Sequence, residues 1–200
     1  RMVRAADYRR AMAAVLAGRP GVEVRSGARV TALAADRVTT AGGVVTARTV
    51  LDARGTGPDG AAPRGRVRLQ QRFVGRWVRT DRPVFDPTTA TLMDFSGGVD
   101  RARVRFVYVL PVSPTEALVE ATVFTTAGDG PIAFRDDITA HLRRRFGLEP
   151  DEWRVVSEEA GAIAMTDERF GTGAIPAVGV RGGAARPSSG YAFARSRRHA

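Results

Sequence analysis

The sequence contains no cysteine, no lysine and no asparagine. Without cysteine there is no disulfide framework and no thiolate metal site. No run approaches the roughly 20 apolar residues of a membrane-spanning helix. The first ten residues also lack the apolar stretch of a signal peptide. These absences predict a cytoplasmic protein. Its 200 residues are enough to build one good hydrophobic core.

Charge of one sign dominates: the net charge is +10, and all 31 basic residues are arginine. Such a charge attracts nucleic acids and anionic membranes. The arginines are dispersed, however, apart from the run at 143–145 and the group Arg195, Arg197 and Arg198. Exclusive use of arginine is typical of a genome-wide composition bias. We therefore predict no nucleic-acid partner and a weak attraction to anionic lipid.

The segment 103–125 predicts two strands joined by a proline-marked turn, with Pro111 and Pro114 in the connection. The two-residue period places one row of side chains on a shared face of each strand. These rows are Val104, Phe106, Tyr108 and Leu110, and then Leu118, Glu120, Thr122 and Phe124. Burial of Glu120 in this row would raise its pKa, as a general acid near neutral pH requires. The alternative is a strand-edge glutamate that reaches water or pairs with an arginine.

Other periodic segments predict a mixed set of helices and strands. The predicted helices are 7–16, ending at Gly18 and Pro20, and a second one capped by Asp136 or Asp137 that stops at Gly147. A β-hairpin is predicted for 37–47, with its turn at the glycine pair. Further predicted strands are 49–53, 67–78, 91–95 and 153–157. The glycines from Gly161 onward are expected to interrupt the chain, and Ser188 or Ser189 to lie near the cap of a last helix.

Two glycine turns could bring backbone amides close to a cofactor. The first is Asp52-Ala53-Arg54-Gly55, continuing to Gly57, after a short strand. The second is Gly182-Gly183, followed by Gly190 at a helix start. Most glycines at a strand end, as in the first turn, only form turns, whereas the second turn is about as often structural as functional. No G-x-G-x-x-G follows a strand, so this chain lacks a dinucleotide fingerprint.

The remaining polar candidates are weaker. Asp94 is either a catalytic carboxylate or the residue that forms a turn before Ser96. Glu158 and Glu159 are adjacent, so in a strand they point to opposite faces. His141 is expected on an exposed helix side and, like His199, without a partner. We therefore predict no metal site and no catalytic triad.

Six short blocks occur in the order and rough spacing of lycopene β-cyclases, and on these blocks the chain resembles that family. The blocks are Gln71-x-Phe73-Val74-Gly75, Leu92-Met93-Asp94, Val99-Asp100, Phe106-Val107-Tyr108-x-Leu110-Pro111-x-Ser113, Leu118-x-Glu120-x-Thr122 and Arg186-Pro187-x-x-Gly190-Tyr191. The resemblance covers most of 22–195. It implies an α/β Rossmann-like flavoprotein fold with a β-sheet substrate layer.

The resemblance also implies an activity: acid-catalysed cyclisation of lycopene ends to β-rings with reduced FAD, formed with NAD(P)H, and no net redox change. It assigns catalysis to Glu120 and Asp94 and substrate contacts to Gln71, Phe73 and Tyr108. The flavin contacts that it implies are Asp52, Ala53, Gly55, Gly182, Gly183, Gly190 and Tyr191. Because the substrate is an apolar polyene, peripheral membrane association and other carotenoid enzymes as partners are expected.

The resemblance implies three segments: 1–60 in an FAD-binding α/β domain, 61–157 in an antiparallel substrate-binding sheet with one helix, and 158–200 back in the FAD-binding domain. Relatives begin with the G-x-G-x-x-G and continue into further helices, so we expect an internal portion of such an enzyme. Two alternatives stay open. One is another FAD-dependent oxidoreductase or hydroxylase of the same fold; the other is an inactive fragment or a non-catalytic binding module.

Overall fold

The computed structural model describes residues 3–55, 64–97, 103–126, 130–168, 170 and 173–199. Its backbone contacts divide the chain into two compact units. The first comprises residues 1–51 and 173–176, and the second comprises residues 52–172 and 177–200. The three-segment domain assignment stays a prediction.

The first unit contains helix α1 (Ala5–Ala17) and a small antiparallel sheet. The sheet has the order β1 (Val30–Ala34), β2 (Arg37–Thr40) and β3 (Gly43–Thr46). The predicted helix, its end at Gly18 and the predicted hairpin are confirmed. Gly43 has φ +123°, which explains why the hairpin turn needs glycine there.

The predicted strand at 49–53 is wrong as a regular strand. Only Asp52 forms a bridge, a parallel one with Ala177. A strand exists through its ladder of hydrogen bonds, and one bridge does not make a ladder. The segment is nevertheless fixed, because the amide of Val178 donates to the carbonyl of Asp52 at 2.9 Å.

The second unit is built on a five-stranded antiparallel sheet in the order β5-β6-β7-β4-β8. Its strands are β4 (Arg68–Thr80), β5 (Thr91–Asp94), β6 (Val104–Ser113), β7 (Glu116–Thr125) and β8 (Trp153–Thr166). Helix α2 (Phe134–Phe146) follows β7, and helix α3 (Phe193–His199) lies near the end of the chain. The predicted mixed α/β class is thereby confirmed.

One face of this sheet packs against α2 and forms the core. Its buried cluster comprises Val78, Phe85, Val107, Val109, Ala117, Val119, Ala121, Val123, Phe134, Ile138, Leu142 and Leu148. Each fully buried aliphatic side chain contributes about 1.5–3 kcal/mol. The core positions on β6 and β7 alternate with the row that contains Glu120. Glu120 therefore lies on the opposite face of the sheet from α2.

Several local predictions are corrected. Pro111 lies inside β6 rather than in the turn. Proline has no backbone N–H to donate to the neighbouring strand, and a bulge between residues 111 and 113 interrupts the strand pairing there. β8 continues past the predicted end and through Gly161, where the ring of Phe73 occupies the space of a side chain. α3 begins at Phe193, so Ser188 and Ser189 belong to the preceding turn.

Helix α2 also differs from its predicted start. It begins at Phe134 and has no side-chain cap. Phe134 and Ile138 are one helical turn apart and both are buried, so packing on the sheet holds the first turn. Asp136 and Asp137 therefore lie in the first turn. His141 is fully buried rather than exposed, because it shares the inward face with Ile138. The stop at Gly147 is confirmed, with φ +63°.

Some predicted features fall outside the described residues: the Val99-Asp100 block, Gly57 of the first glycine turn, and Gly171. Among the residues that are described, no helix is long and apolar enough to cross a membrane.

Candidate functional site

Strand pairing places one row of side chains across the sheet at Glu120. Tyr108 of β6 and Gly75 of β4 are its direct neighbours, and Glu159 of β8 lies beyond Gly75. Rows on either side bring Phe73 opposite Thr122 and Phe106 opposite the same threonine. The structure therefore gathers the predicted Glu120, Phe73 and Tyr108 on one face, away from the core.

The carboxyl group of Glu120 is largely withdrawn from solvent. Thr122, itself fully buried, donates a hydrogen bond from Oγ1 to Glu120 Oε1 at 3.1 Å. Burial raises the pKa of Glu120 to about 7, the hydrogen bond from Thr122 opposes this, and the charge of Glu159 adds to it. No ion pair to Glu120 exists within the described residues, so the alternative of an arginine-paired glutamate is not what the structure has.

The side chains around Glu120 approach the backbone closely at Gly75. A Cβ on Gly75 would lie 3.0 Å from Leu118 Cδ1, 3.2 Å from Glu159 Cγ and 3.5 Å from Glu120 Oε2. Any larger residue would push against the carboxyl group. Glycine in a strand interior is a signal of close approach, so the sequence could have shown this feature.

Glu158 and Glu159 point to opposite faces, as the sequence predicted. Glu158 accepts hydrogen bonds from Arg76 and Arg135, which hold its pKa low, at about 2. Glu159 lies exposed on the face of Glu120. The second acid near the site is therefore Glu159, which sequence reasoning did not single out.

An aromatic cluster borders the acid. The ring of Phe106 makes edge-to-face contacts with Phe95, Tyr108 and Phe124, at centroid distances of 5.3–5.5 Å. The hydroxyl groups of Tyr108 and Tyr191 are 3.1 Å apart, and burial raises the pKa of the Tyr108 phenol. Tyr108 and Tyr191, predicted for two different ligands, thus meet at one place.

Gln71 and Gly190 also meet on this face. Gln71 is buried, and its Oε1 atom has no hydrogen-bond partner in the part of the chain that the structure describes. A Cβ on Gly190 would lie 2.3 Å from that oxygen, and Gly190 has φ +70°. A buried acceptor without a donor is costly, which indicates that something else satisfies it.

The two predicted glycine turns lie side by side. Asp52 is buried, and its carboxylate accepts hydrogen bonds from the amide and guanidinium of Arg54. These contacts hold the pKa of Asp52 low, and the Nε atom of Arg181 lies 3.6 Å from its Oδ2. The Asp52–Ala177 bridge then joins Asp52, Ala53 and Gly55 to the turn that contains Gly182 and Gly183.

Close packing within the chain explains why glycine occupies positions 182 and 183 of the second turn. A Cβ on Gly182 would meet the carbonyl oxygen of Ala177 at 2.3 Å. Gly183 has φ +81°, and its Cβ would lie 2.6 Å from the Phe170 ring. Packing of the chain on itself therefore accounts for both. Gly55, by contrast, has φ +75° and open space around it.

The structure does not bring Asp94 to Glu120. A bulge at Met93, whose φ of +52° is unusual for a non-glycine residue, turns Asp94 toward α2. There hydrogen bonds from the side chain of Ser96 and from its amide, the latter at 2.7 Å, hold the pKa of Asp94 low, with His141 and Arg144 nearby. This is the turn-forming alternative of the sequence analysis.

Comparison with known proteins identifies the family of the chain. A sequence model described as lycopene cyclase protein matches residues 1–200. The chain is 32% identical over 186 residues to the lycopene beta-cyclase of Paracoccus sp., covering 88% of this chain and 45% of that protein. It is 30% identical over 162 residues to the lycopene beta-cyclase of Pantoea ananas, covering 76% of this chain and 39% of that protein.

Among solved structures, a geranylgeranyl bacteriochlorophyll reductase-like protein from Thermoplasma acidophilum superposes with a TM-score of 0.63 at 13% identity. The match covers 95% of this chain and 50% of that one, and at this identity it shows a shared fold. The chain spans less than half the length of the two curated relatives. Since the family model matches the whole length of this chain, the chain belongs to the lycopene cyclase family.

Proposed function

We propose that this chain forms the acid-bearing part of a lycopene β-cyclase, with Glu120 as the proton donor. The observation that carries the proposal is a largely buried carboxyl group with a pKa of about 7, which lies among aromatic side chains and forms no ion pair with any residue that the structure describes. About half of such groups are protonated at neutral pH, which suits a general acid. The family relationship supplies the substrate class.

The reaction requires one proton to enter and one to leave. Glu120 donates a proton to a carbon–carbon double bond at an acyclic end of the polyene, which leaves a carbocation. Attack by a neighbouring double bond closes the ring, and loss of a proton to a base forms the β-ring. Atoms and electrons balance, so the product is an isomer and the enzyme belongs to the isomerases or intramolecular lyases.

The face around Glu120 suits such an intermediate. Phe73 and Tyr108, the proposed substrate contacts, lie on the same face as the acid. Aromatic faces attract a cation within about 6 Å. An apolar site also keeps out water that would trap the carbocation.

We infer that reduced FAD, regenerated by NAD(P)H, binds on the same face. The residues fit on one observation: the orphaned Oε1 of Gln71 beside Gly190 suits a ligand with an N–H donor, which a flavin ring has and a polyene has not. Reduced flavin, when bound, supplies negative charge that stabilises a nearby cation. The residues proposed to hold it are Asp52, Ala53, Gly55, Gly182, Gly183, Gly190 and Tyr191.

The proposed substrate determines the cellular location that we propose. Lycopene partitions into the bilayer, so we propose a cytoplasmic protein that associates peripherally with the membrane and works beside other carotenoid enzymes. The net charge of +10 supports attraction to anionic lipid. We retain the assignment of 1–60 and 158–200 to flavin binding and of 61–157 to the substrate sheet.

Product analysis tests the proposal. The chain is incubated with lycopene in vesicles, FAD and NADPH. The carotenoids are then separated by chromatography, and their masses are measured by mass spectrometry. We expect a product with β-rings and the mass of lycopene. A product that has gained oxygen would instead establish the hydroxylase alternative, and absence of flavin absorbance after FAD addition would favour a non-catalytic module.

A second measurement concerns Glu159. Removing its charge by Glu159→Gln should lower the pKa of Glu120, because a like charge nearby disfavours ionisation. The upper limb of the pH profile of ring formation is expected to move to lower pH by roughly half a unit. Glu158→Gln is the matched control, because Glu158 lies on the opposite face. Equal profiles for Glu159→Gln and the parent would remove Glu159 from the site.

A further inference from the structure

A second polar site lies near the end of the described chain. Arg186, Pro187, Ser188, Arg195 and Arg198 line an open cleft with a volume of about 420 Å³. Three arginines and one serine thus line the same cleft. Arg195 is half-buried, and Arg186 and Arg198 are exposed at the rim.

The local backbone fixes these side chains relative to one another. The amide of Arg186 donates to the carbonyl of Tyr191 at 3.1 Å, and the amide of Gly190 donates to the carbonyl of Arg186 at 2.9 Å. The loop is therefore closed at both ends. Arg195 and Arg198 follow in α3 three residues apart, so both lie on the same helix face.

The charges of this cleft are not neutralised. Elsewhere in the chain Arg68, Arg76 and Arg105 each pair with a carboxylate. Within the described residues, by contrast, Arg186, Arg195 and Arg198 make no ion pair. Three like charges held together repel, and an anion that enters between them removes that repulsion.

We propose that this cleft binds a phosphoryl group. Arginine presents a planar fork of donors that fits phosphate oxygens, and the Ser188 hydroxyl adds a further donor. The volume accommodates a diphosphate. The ligand chemistry has two sources, the phosphates of a soluble dinucleotide and the headgroups of anionic lipid. Neither depends on the assignment of Glu120, since the cleft residues do not include the acid.

The test compares two double variants of the intact chain. Arg195→Gln with Arg198→Gln removes two charges from the cleft, and Arg48→Gln with Arg145→Gln removes two exposed charges elsewhere. Both should retain the circular dichroism of the parent. Calorimetry with inorganic pyrophosphate at about 0.15 M salt reports the soluble source. Flotation with vesicles of phosphatidylcholine, with and without phosphatidylglycerol, reports the lipid source.

We expect the cleft variant to bind at least one probe about tenfold or more weakly, and the control variant to bind as the parent does. Loss of pyrophosphate affinity alone identifies the soluble ligand, and loss of retention by phosphatidylglycerol vesicles alone identifies lipid. Loss of both supports a phosphoryl site open to either source. The proposal is overturned if neither probe binds, or if both double variants lose affinity equally.

Discussion

Replacement of Glu120 by glutamine is expected to abolish ring formation from lycopene. The rate should fall by about 10²–10⁴-fold or more, because a general acid typically contributes that much. Glutamine keeps the size of the side chain and can still accept the hydrogen bond from Thr122. It has no proton acidic enough to give to an alkene. The expected loss is therefore in kcat, with carotenoid and FAD binding retained.

Carotenoid chromatography measures ring formation, and flavin absorbance measures cofactor binding in the same sample. Asp151→Asn is the matched control, since it converts an exposed acid outside the sheet to its amide. That variant should cyclise at the parent rate. Ring formation by Glu120→Gln at a rate within threefold of the parent would exclude Glu120 as the proton donor.

The same variant shows whether the raised pKa belongs to the folded protein. Glu120 has an ordinary pKa of 4.5 and a pKa of about 7 in the fold, so the folded state binds its proton more tightly. Its contribution is full below pH 4.5 and is lost as the pH rises toward 7, by up to about 3 kcal/mol. Glu120→Gln does not titrate. Above pH 7 it should therefore unfold at higher denaturant concentration than the parent.

The sequence allowed the face of Glu120 to be predicted because two signals agreed there. Alternation with a period of two defines which side chains share a face, and β7 keeps that alternation without a bulge. The face that packs on α2 could not be read from the same pattern. Both rows of β6 and β7 are largely apolar, so periodicity alone does not say which row is the core.

Asp94 illustrates where such reasoning fails. Its neighbours Leu92-Met93 gave no sign of a bulge, because a positive φ is expected at glycine rather than at methionine. One extra residue in a strand moves the following side chain to the other face. The family block around Asp94 was thus recognised, while the position of its carboxylate was determined by backbone geometry that the sequence does not display.

His141 shows a second limit. Ile138, His141 and Leu142 have helical spacing, and all three face inward. The polarity of histidine favours the exposed side of the helix, whereas the helical period favours burial. Its Nδ1 lies 3.3 Å from Arg144 Nη2, and burial lowers its pKa, so the neutral form suits the core. The Phe73 ring that lies over Gly161 is likewise known only from the structure.

Gly182→Ala is expected to have the largest effect on stability, because the added Cβ would meet backbone that cannot move away. It would lie 2.3 Å from the carbonyl oxygen of Ala177 and 2.9 Å from Val178 Cα. The turn would have to open, at an expected loss of about 3 kcal/mol in the free energy of unfolding. The bridge from Ala177 to Asp52 would open with it, so affinity for FAD should fall as well.

Gly179→Ala in the same turn separates crowding from backbone strain. Gly179 has φ +63° and open space around its Cβ position, so alanine there should cost only about 1 kcal/mol. Urea denaturation of both variants measures the difference. If they unfolded at the same urea concentration, the close contact at Ala177 would not be what requires glycine at 182. A lower midpoint for Gly182→Ala together with weaker FAD binding would mean that the packing of this turn supports the proposed flavin site.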